Sequence, residues 1–104
     1  MEQSFKKIAI IGLGLIGTSI LHAIKAKISE TVITYAYDIN SNHRDTVIEM
    51  GIATFVCHNI HDAVKEADLV ILAIPVGSMK IVASSIAQSL KKSAVITDTG
   101  STKS

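Results

Sequence analysis

Three glycines follow a short apolar run near the start of the chain, at Gly12, Gly14 and Gly17. In a dinucleotide-binding loop with this spacing, the first glycine permits a tight turn, the second lets the backbone approach a pyrophosphate, and the third lets a helix pack closely on a strand. A helix that begins near Leu15 points its unpaired N–H groups, including those of Leu15 and Ile16, towards the anion. The spacing therefore predicts a phosphate-binding site made largely of backbone atoms.

An acidic residue lies at the distance from these glycines that a bound ribose requires. Asp38 follows the apolar segment 32–37 and comes 21 residues after Gly17, and the fingerprint places an acidic residue about 20 residues on. Its carboxylate can accept hydrogen bonds from both hydroxyls of an adenosine ribose and would repel a 2′-phosphate. We therefore expect NAD as the cofactor, in preference to NADP. Turn chemistry offers an alternative, in which Asp38 only caps or precedes a helix at 42–50.

Two later apolar segments also end in loops that could reach the same ligand. The run at 69–74 ends with Ile74 and is followed by Pro75, and the run at 94–97 leads into the polar loop 97–104. Ligands of open α/β sheets bind beyond the carboxyl ends of the strands, where the strand order reverses. We therefore expect Ile74 and Pro75 to flank the ribose or nicotinamide of the cofactor, and the last loop to meet the substrate.

Strands and helices alternate along the sequence, which brings these loops to one edge of a sheet. The pattern predicts the α/β class, with a doubly wound, mostly parallel sheet that forms a Rossmann-type dinucleotide-binding domain. The expected strands are 7–11, 32–37, 54–56, 69–74 and 94–97. The first expected helix begins near Leu15, and the other three cover 42–50, 60–66 and 79–90.

Local signals refine three of these helices. Isoleucines at every fourth position predict the face with which the first helix covers the sheet. These isoleucines are Ile16, Ile20, Ile24 and Ile28. Asn40 or Ser41 is expected to cap the second helix and Gly51 to end it. Lys91 and Lys92 are expected to offset the dipole at the end of the fourth helix.

Composition narrows the class of protein and its partners. The chain has 104 residues, enough for one domain, and a net charge of +1 with 4% aromatic residues, which gives no reason to expect nucleic acid. Although 48% of the residues are hydrophobic, no apolar run approaches the ~20 residues of a membrane-spanning helix, so we expect no membrane. The single cysteine, Cys57, excludes an internal disulfide and fits the cytoplasm.

Two further patterns are weighed and set aside. Lys6-Lys7 and the run 8–21 have the approximate lengths of a signal peptide, but Glu2 and the glycine spacing argue against it. Zinc ligands could come from three neighbouring residues, yet a structural site needs four ligands at a recognised spacing, so we expect no metal. These residues are Cys57, His58 and His61. All four histidines, including His22 and His43, are interpreted as ordinary surface or partly buried residues.

Four segments, in order, resemble the amino-terminal domain of prephenate and arogenate dehydrogenases. They are Gly12 to Ser19, Tyr37-Asp38, Ala67 to Val76, and Thr97 to Lys103. The resemblance covers nearly the whole chain. Its first part is shared with many dehydrogenases, whereas the closing D-x-G-S-x-K is much more particular to this family.

The resemblance implies an oxidative decarboxylation in tyrosine biosynthesis. In that family, hydride passes from a cyclohexadienyl acid to NAD, carbon dioxide leaves and the ring becomes aromatic. The serine of the closing motif, here Ser101, lies beside the substrate and helps to position the catalytic histidine, which follows the motif. We therefore expect residues 1–104 to be the NAD(P)-binding domain of a longer enzyme, truncated before its helical substrate domain and inactive alone. The full-length protein is expected to form a homodimer.

Other interpretations stay open from the sequence. The substrate could be prephenate or arogenate, because the residues that would read its side chain lie beyond this sequence. Another nicotinamide-dependent dehydrogenase, of the β-hydroxyacid type, shares the first strand, loop and helix. A nucleotide-sensing regulatory domain, like those that gate potassium transport, also begins with a glycine fingerprint. The loop around Ser101 favours the first family over both.

Overall fold

A parallel sheet carries helices on both of its faces in the computed structural model of this chain, which describes residues 6–27 and 32–99. The elements in the described residues are, in chain order, β1 (Lys7–Ile11), α1 (Leu15–Lys27), β2 (Ile33–Tyr37), α2 (Ser41–Met50), β3 (Phe55–Val56), α3 (Ile60–Val64), β4 (Leu69–Leu72), α4 (Val76–Ile86) and β5 (Val95–Asp98). The strands lie in the order β3-β2-β1-β4-β5, and every neighbouring pair is parallel. The doubly wound α/β fold predicted from the sequence is confirmed.

β1 lies in the middle of the sheet and contributes to both hydrophobic cores. Ile8 and Ile10 pack on one face with residues of α1 and α2, whereas Ala9 and Ile11 pack on the other with residues of α3 and α4. Successive side chains of a strand point to opposite faces, so a strand covered on both faces is apolar at every position. This burial accounts for the apolar run before the glycines. Among the helices of the described residues, none is long and apolar enough to span a membrane.

The strand order reverses at β1, because β2 and β3 lie on one side of it and β4 and β5 on the other. Beyond the strand ends, the Gly12 N–H donates to the Tyr37 carbonyl oxygen at 2.8 Å, and the Ala73 N–H donates to the Ile11 carbonyl oxygen at 2.8 Å. These bonds hold the loops after β1, β2 and β4 side by side. In open α/β sheets such a reversal leaves a crevice at the carboxyl ends of the strands.

The first helix covers the sheet with part of the predicted row of isoleucines and with Leu21. Steps of four residues drift around a helix by about 40° each, because one turn takes 3.6 residues. Ile16 is therefore turned outwards and is 55% exposed, whereas Ile20 and Ile24 pack on the core and Leu21 is fully buried. Ile28, which was also predicted for this face, lies outside the described residues.

The fourth helix begins earlier than the sequence predicts. β4 ends at Leu72, and Pro75 occupies the position just before α4. Proline suits the start of a helix, because its φ is already fixed near the helical value and its missing N–H would have no partner there. Lys91 and Lys92 both lie beyond the end of α4, which is Ile86, so their predicted role at the helix dipole is wrong. Lys91 instead pairs with Asp68 near the start of β4.

The ends of α2 follow the predicted capping pattern. The Asn40 side chain accepts a hydrogen bond from the Asn42 N–H at 2.8 Å, and Gly51 ends the helix with a φ of 66°. Glycine adopts this left-handed conformation without the steric cost that a Cβ would impose. The first turn of α2 is thereby fixed at the same sheet edge as the end of β2.

Candidate functional site

Gly12 turns the chain sharply at the end of β1. Its φ of 104° lies in a region that residues with side chains rarely adopt. A Cβ at this position would also overlap the Ala73 carbonyl oxygen and lie 2.8 Å from Ile74 Cγ2. Both the backbone conformation and the close approach of the loop after β4 therefore require glycine here.

Gly17 and Gly14 face different surroundings. A Cβ on Gly17 would overlap the Gly12 carbonyl oxygen, so this glycine allows α1 to pack against the loop. A Cβ on Gly14 would meet no atom of the described residues within 4 Å. The fold therefore does not need a glycine at position 14, and the space beside that residue is open to a ligand.

The first turn of α1 offers N–H groups to an anion. The Thr18 N–H donates to the Gly14 carbonyl oxygen at 3.0 Å, and helix geometry leaves the N–H groups before it without partners inside the helix. This turn carries no acidic residue. Leu15 and Ile16 expose their side chains, at 85% and 55%. The backbone N–H groups and the positive end of the helix dipole suit a phosphate.

Asp38 is anchored by hydrogen bonds from separate parts of the chain. Its Oδ2 accepts from the Leu13 N–H at 2.7 Å, and its Oδ1 accepts from the Asn40 N–H at 2.8 Å. The His43 Nδ1 lies 3.1 Å from Oδ2. Burial of the carboxyl opposes ionisation, but the hydrogen bonds from Leu13, Asn40 and His43 outweigh it and hold the pKa of Asp38 below its ordinary value. The side chain is therefore an anion at neutral pH.

Asp38 makes both the turn contact and a contact with the glycine loop. Its bond to the Asn40 N–H, two residues on, is an Asx turn, which is the turn chemistry that the sequence left open. The cap of α2 is Asn40 rather than Asp38. The bond to Leu13 ties the carboxylate to the glycine loop, which an ordinary turn residue would not need.

Two residues at this site were not assigned to it by sequence reasoning. His43, interpreted as an ordinary residue, instead bonds Asp38 and lines the same cleft. The Arg44 Nη1 donates to the Asp38 carbonyl oxygen at 2.7 Å, and its guanidinium lies 5.8 Å from the centre of the Tyr37 ring. The sequence signal that could have placed His43 and Arg44 at this site was Asn40. A helix capped by Asn40 has positions 43 and 44 in its first turn, close to Asp38.

A cleft of about 640 Å³ lies at the carboxyl ends of β1, β2 and β4, within the roughly 300–1,000 Å³ of small-molecule sites. Much of its wall is apolar, because it is lined by four isoleucines and a valine, namely Ile11, Ile39, Ile60, Ile74 and Val82. Five of the predicted cofactor-binding residues line it, namely Gly12, Gly14, Asp38, Ile74 and Pro75. The other three, Leu15, Ile16 and Gly17, belong to the first turn of α1, directly after Gly14. The open space at Gly14, the helix start and the anionic Asp38 together fit a dinucleotide.

Ser101, the predicted supporting catalytic residue, lies outside the described residues. β5 ends at Asp98, and the next residue, Thr99, donates its N–H to the Leu72 carbonyl oxygen at 3.2 Å. β5 therefore ends next to β4, and the loop that leads to Ser101 starts at the same sheet edge as the cleft.

Two of the residues weighed for zinc, Cys57 and His61, have other surroundings in the fold. Across residues 6–27 and 32–99, no group of three or more His, Cys, Asp and Glu side chains is placed to hold a metal ion. The His61 Nδ1 lies 2.8 Å from the Ser89 Oγ. Burial, together with the negative charge of Asp62, raises the pKa of the Cys57 thiol, so a thiolate ligand is disfavoured there.

A family model for the nucleotide-binding domain of prephenate dehydrogenase matches residues 21–104. The chain belongs to this family. The matched range contains Asp38, Ile74, Pro75 and Ser101, whereas the glycine loop precedes it. The glycine loop and the family match are therefore separate lines of support for a nucleotide-binding domain.

Curated relatives of this prephenate dehydrogenase domain are much longer than the chain. It is 48% identical to the cyclohexadienyl dehydrogenase of Zymomonas mobilis, across 95% of this chain and 33% of the relative. It is 37% identical to the prephenate dehydrogenase of Lactococcus lactis, across 95% of this chain and 27% of the relative. The chain thus spans about a third or less of the curated relatives that it matches.

Solved structures agree with the assignment of this prephenate dehydrogenase domain. The prephenate dehydrogenase of A. aeolicus, solved with hydroxyphenyl propionate and NAD+, has a TM-score of 0.86 and 25% identity, covering 99% of this chain and 36% of that one. The Synechocystis arogenate dehydrogenase has a TM-score of 0.83 at 19% identity, covering 94% and 34%, and shows the fold alone. The comparisons do not favour the β-hydroxyacid or regulatory alternatives.

Proposed function

We propose that this chain binds NAD and forms the nucleotide-binding domain of an enzyme that oxidises and decarboxylates prephenate or arogenate. The observation that carries the proposal is that Asp38 and Gly14 line one cleft at the reversal of the sheet. Names of the relatives, and the NAD+ held by the A. aeolicus enzyme, support this choice of cofactor and substrate class.

Each part of the cleft has a role in binding. The N–H groups at the start of α1 would bind the pyrophosphate next to Gly14, where no side chain stands in the way. The Asp38 carboxylate would accept hydrogen bonds from the ribose, and its charge would repel a 2′-phosphate, so NAD is preferred to NADP. Ile74 and Pro75 would flank the cofactor and exclude water from its reactive end.

Bound NAD would supply the hydride acceptor. Hydride would leave the ring carbon that bears the hydroxyl, and the hydroxyl proton would pass to a base. The bond to the ring carboxylate would then break to release carbon dioxide, its electron pair would make the ring aromatic, and the oxygen would regain a proton to give a phenol. By resemblance to the family, Ser101 would contact the substrate and orient the catalytic histidine. We infer that this histidine and the substrate-binding helices belong to the part of the relatives that the chain does not span.

The partners follow from the same assignment. We infer a homodimer for the full-length protein, without nucleic acid or membrane among its partners, and a cytoplasmic location. A net charge of +1 supports the inference about nucleic acid, and the single free cysteine, Cys57, supports the location. The homodimer is inferred from the resemblance to the family alone.

Isothermal titration of the chain with NAD and NADP tests the proposed cofactor. Asp38→Ser should weaken NAD binding roughly tenfold, the order of effect of a lost hydrogen bond to a charged group, and should narrow the preference over NADP. Asp45→Ser is the matched control, because Asp45 is an exposed aspartate on α2. An unchanged preference in the Asp38 variant would remove this residue from the ribose site.

Turnover provides a second test. The 104-residue chain should bind NAD yet show no measurable reduction of NAD with prephenate or arogenate, by absorbance at the wavelength of the reduced nicotinamide. Reduction at an enzyme-like rate would contradict the inference that the base lies outside this chain.

A further inference from the structure

The Asp38 carboxylate is almost fully used before any ligand binds. A carboxylate offers about four acceptor positions, two on each oxygen. In the described part of the chain, Oδ2 meets the Leu13 N–H and the His43 Nδ1, and Oδ1 accepts from the Asn40 N–H. One position on Oδ1 is left. A ribose that presents two neighbouring hydroxyls to this carboxylate needs two.

His43 is the donor that can leave. The Leu13 and Asn40 donors are backbone groups fixed by the glycine loop and by the cap of α2, whereas the His43 donor is on a side chain. That side chain is 47% exposed, and the Asp38 side chain is 13% exposed. Both residues line the cleft, so a ribose approaching Asp38 meets His43 at the same oxygen.

We propose that His43 competes with the cofactor for Asp38 and thereby lowers the affinity of the ribose site. In the free chain its imidazole occupies one acceptor position of Oδ2. When a ribose binds, the imidazole turns away and a ribose hydroxyl takes its place. This inference rests on the proposed binding of NAD, and it adds that part of the binding free energy is spent in displacing a residue of the protein itself.

The competition predicts that removing His43 strengthens binding. His43→Ala should bind NAD roughly 2- to 5-fold more tightly, because the displaced pair has the strength of an exposed ion pair or weaker. His22→Ala is the matched control, since His22 is an exposed histidine on α1, and it should leave the affinity unchanged. An affinity for NAD that is equal or weaker in His43→Ala would overturn the proposal, the latter because His43 would then assist binding.

Two further measurements locate the effect at the ribose. ADP and 2′,3′-dideoxy-ADP differ only in the hydroxyls that would displace His43, so the gain in His43→Ala should appear with ADP and vanish with the dideoxy nucleotide. Nitrogen NMR should show that NAD moves the His43 Nδ1 signal of the wild type towards its position in the free Asp38→Asn variant, which lacks the carboxylate. A gain that persists with the dideoxy nucleotide, or an Nδ1 signal that NAD leaves in place, would refute the competition.

The outcomes also separate this inference from the proposed function. If the wild-type chain binds neither NAD nor ADP, the proposed function and the competition both fail. If the chain binds NAD and His43→Ala binds it with the same affinity, only the competition fails.

Discussion

Asp38 lies where the carboxyl ends of the strands meet, here called the carboxyl edge, and Asp68 lies at their amino ends, the amino edge. Both carboxylates accept hydrogen bonds from backbone N–H groups. Asp38 accepts two backbone N–H groups at the carboxyl edge. Asp68 accepts the N–H groups of Lys6 and Lys7 at the amino edge, both at 2.9 Å from Oδ2, and its Oδ1 pairs with the Lys91 ammonium. Each carboxylate therefore joins segments that are far apart in the sequence.

The two residues differ in what they leave available to a ligand. The hydrogen bond from Lys91, followed by those from Lys7 and Lys6, outweighs burial and lowers the pKa of Asp68 to about 2. These donors tie β1, β4 and the segment before β5 together. Asp38 borders an open cleft instead, and one of its donors is an exposed side chain. A hydrogen-bonded carboxylate thus indicates a binding site only where its donors can be replaced by those of a ligand.

Gly17 is required by the packing of α1, whereas Gly14 is proposed to leave room for the pyrophosphate. Substitution of these two glycines should give the largest effect expected here. Gly17→Ala should lower the free energy of unfolding by about 3 kcal/mol, because the new Cβ would overlap the Gly12 carbonyl oxygen. Gly14→Ala should cost at most about 1 kcal/mol, since its Cβ enters open space at the helix cap. Urea unfolding followed by circular dichroism measures both values.

NAD affinity completes this test. Gly14→Ala should remain folded and lose most of its affinity, because the added methyl group occupies the space assigned to the pyrophosphate. Gly77→Ala is the control, as its Cβ also meets no atom of the described residues within 4 Å, and Gly77 does not line the cleft. Full NAD affinity in Gly14→Ala would show that the phosphates lie elsewhere.

The sequence predicted the carboxyl edge better than the amino edge, and the reason is physical. Glycine spacing and the distance to Asp38 are imposed by one strand, one turn and one helix, so they remain visible as a local pattern. The pairing of Lys91 with Asp68 depends on how β5 is aligned with β4, and such long-range contacts leave no periodicity. The order and type of all the elements could be predicted, whereas the His43 contact depends on a rotamer that no pattern encodes.

Replacing each aspartate by asparagine should affect different properties of the chain, namely stability at Asp68 and NAD affinity at Asp38. Asp68→Asn should lower the free energy of unfolding by about 1 kcal/mol or less, because the partly exposed ion pair with Lys91 loses its negative charge, and it should leave NAD affinity unchanged. Asp38→Asn should change NAD affinity more than stability. Urea unfolding and isothermal titration on both variants decide this. Weaker NAD binding in Asp68→Asn without loss of structure would show that the two edges are coupled.

The smallest expected effect is a change in the pH dependence of the free energy of unfolding. It distinguishes the contribution of the Asp68 charge from that of its hydrogen-bond geometry. The pKa of Asp68 is lowered to about 2 in the folded chain, whereas an unfolded aspartate titrates near ~3.9. The ionised form is thus favoured by folding, so its contribution is complete above the unfolded pKa and is lost as the pH falls through the folded one. Because the pair is partly exposed, that contribution should be about 1 kcal/mol or less. Urea titrations from about pH 5 to about pH 2.5 cover the start of this loss. Over that range, the free energy of unfolding should fall less steeply for Asp68→Asn than for the wild type. Parallel curves would mean that Asp68 holds the amino edge through the geometry of its bonds to Lys6 and Lys7, which an amide oxygen preserves, and that its charge contributes nothing measurable to the fold.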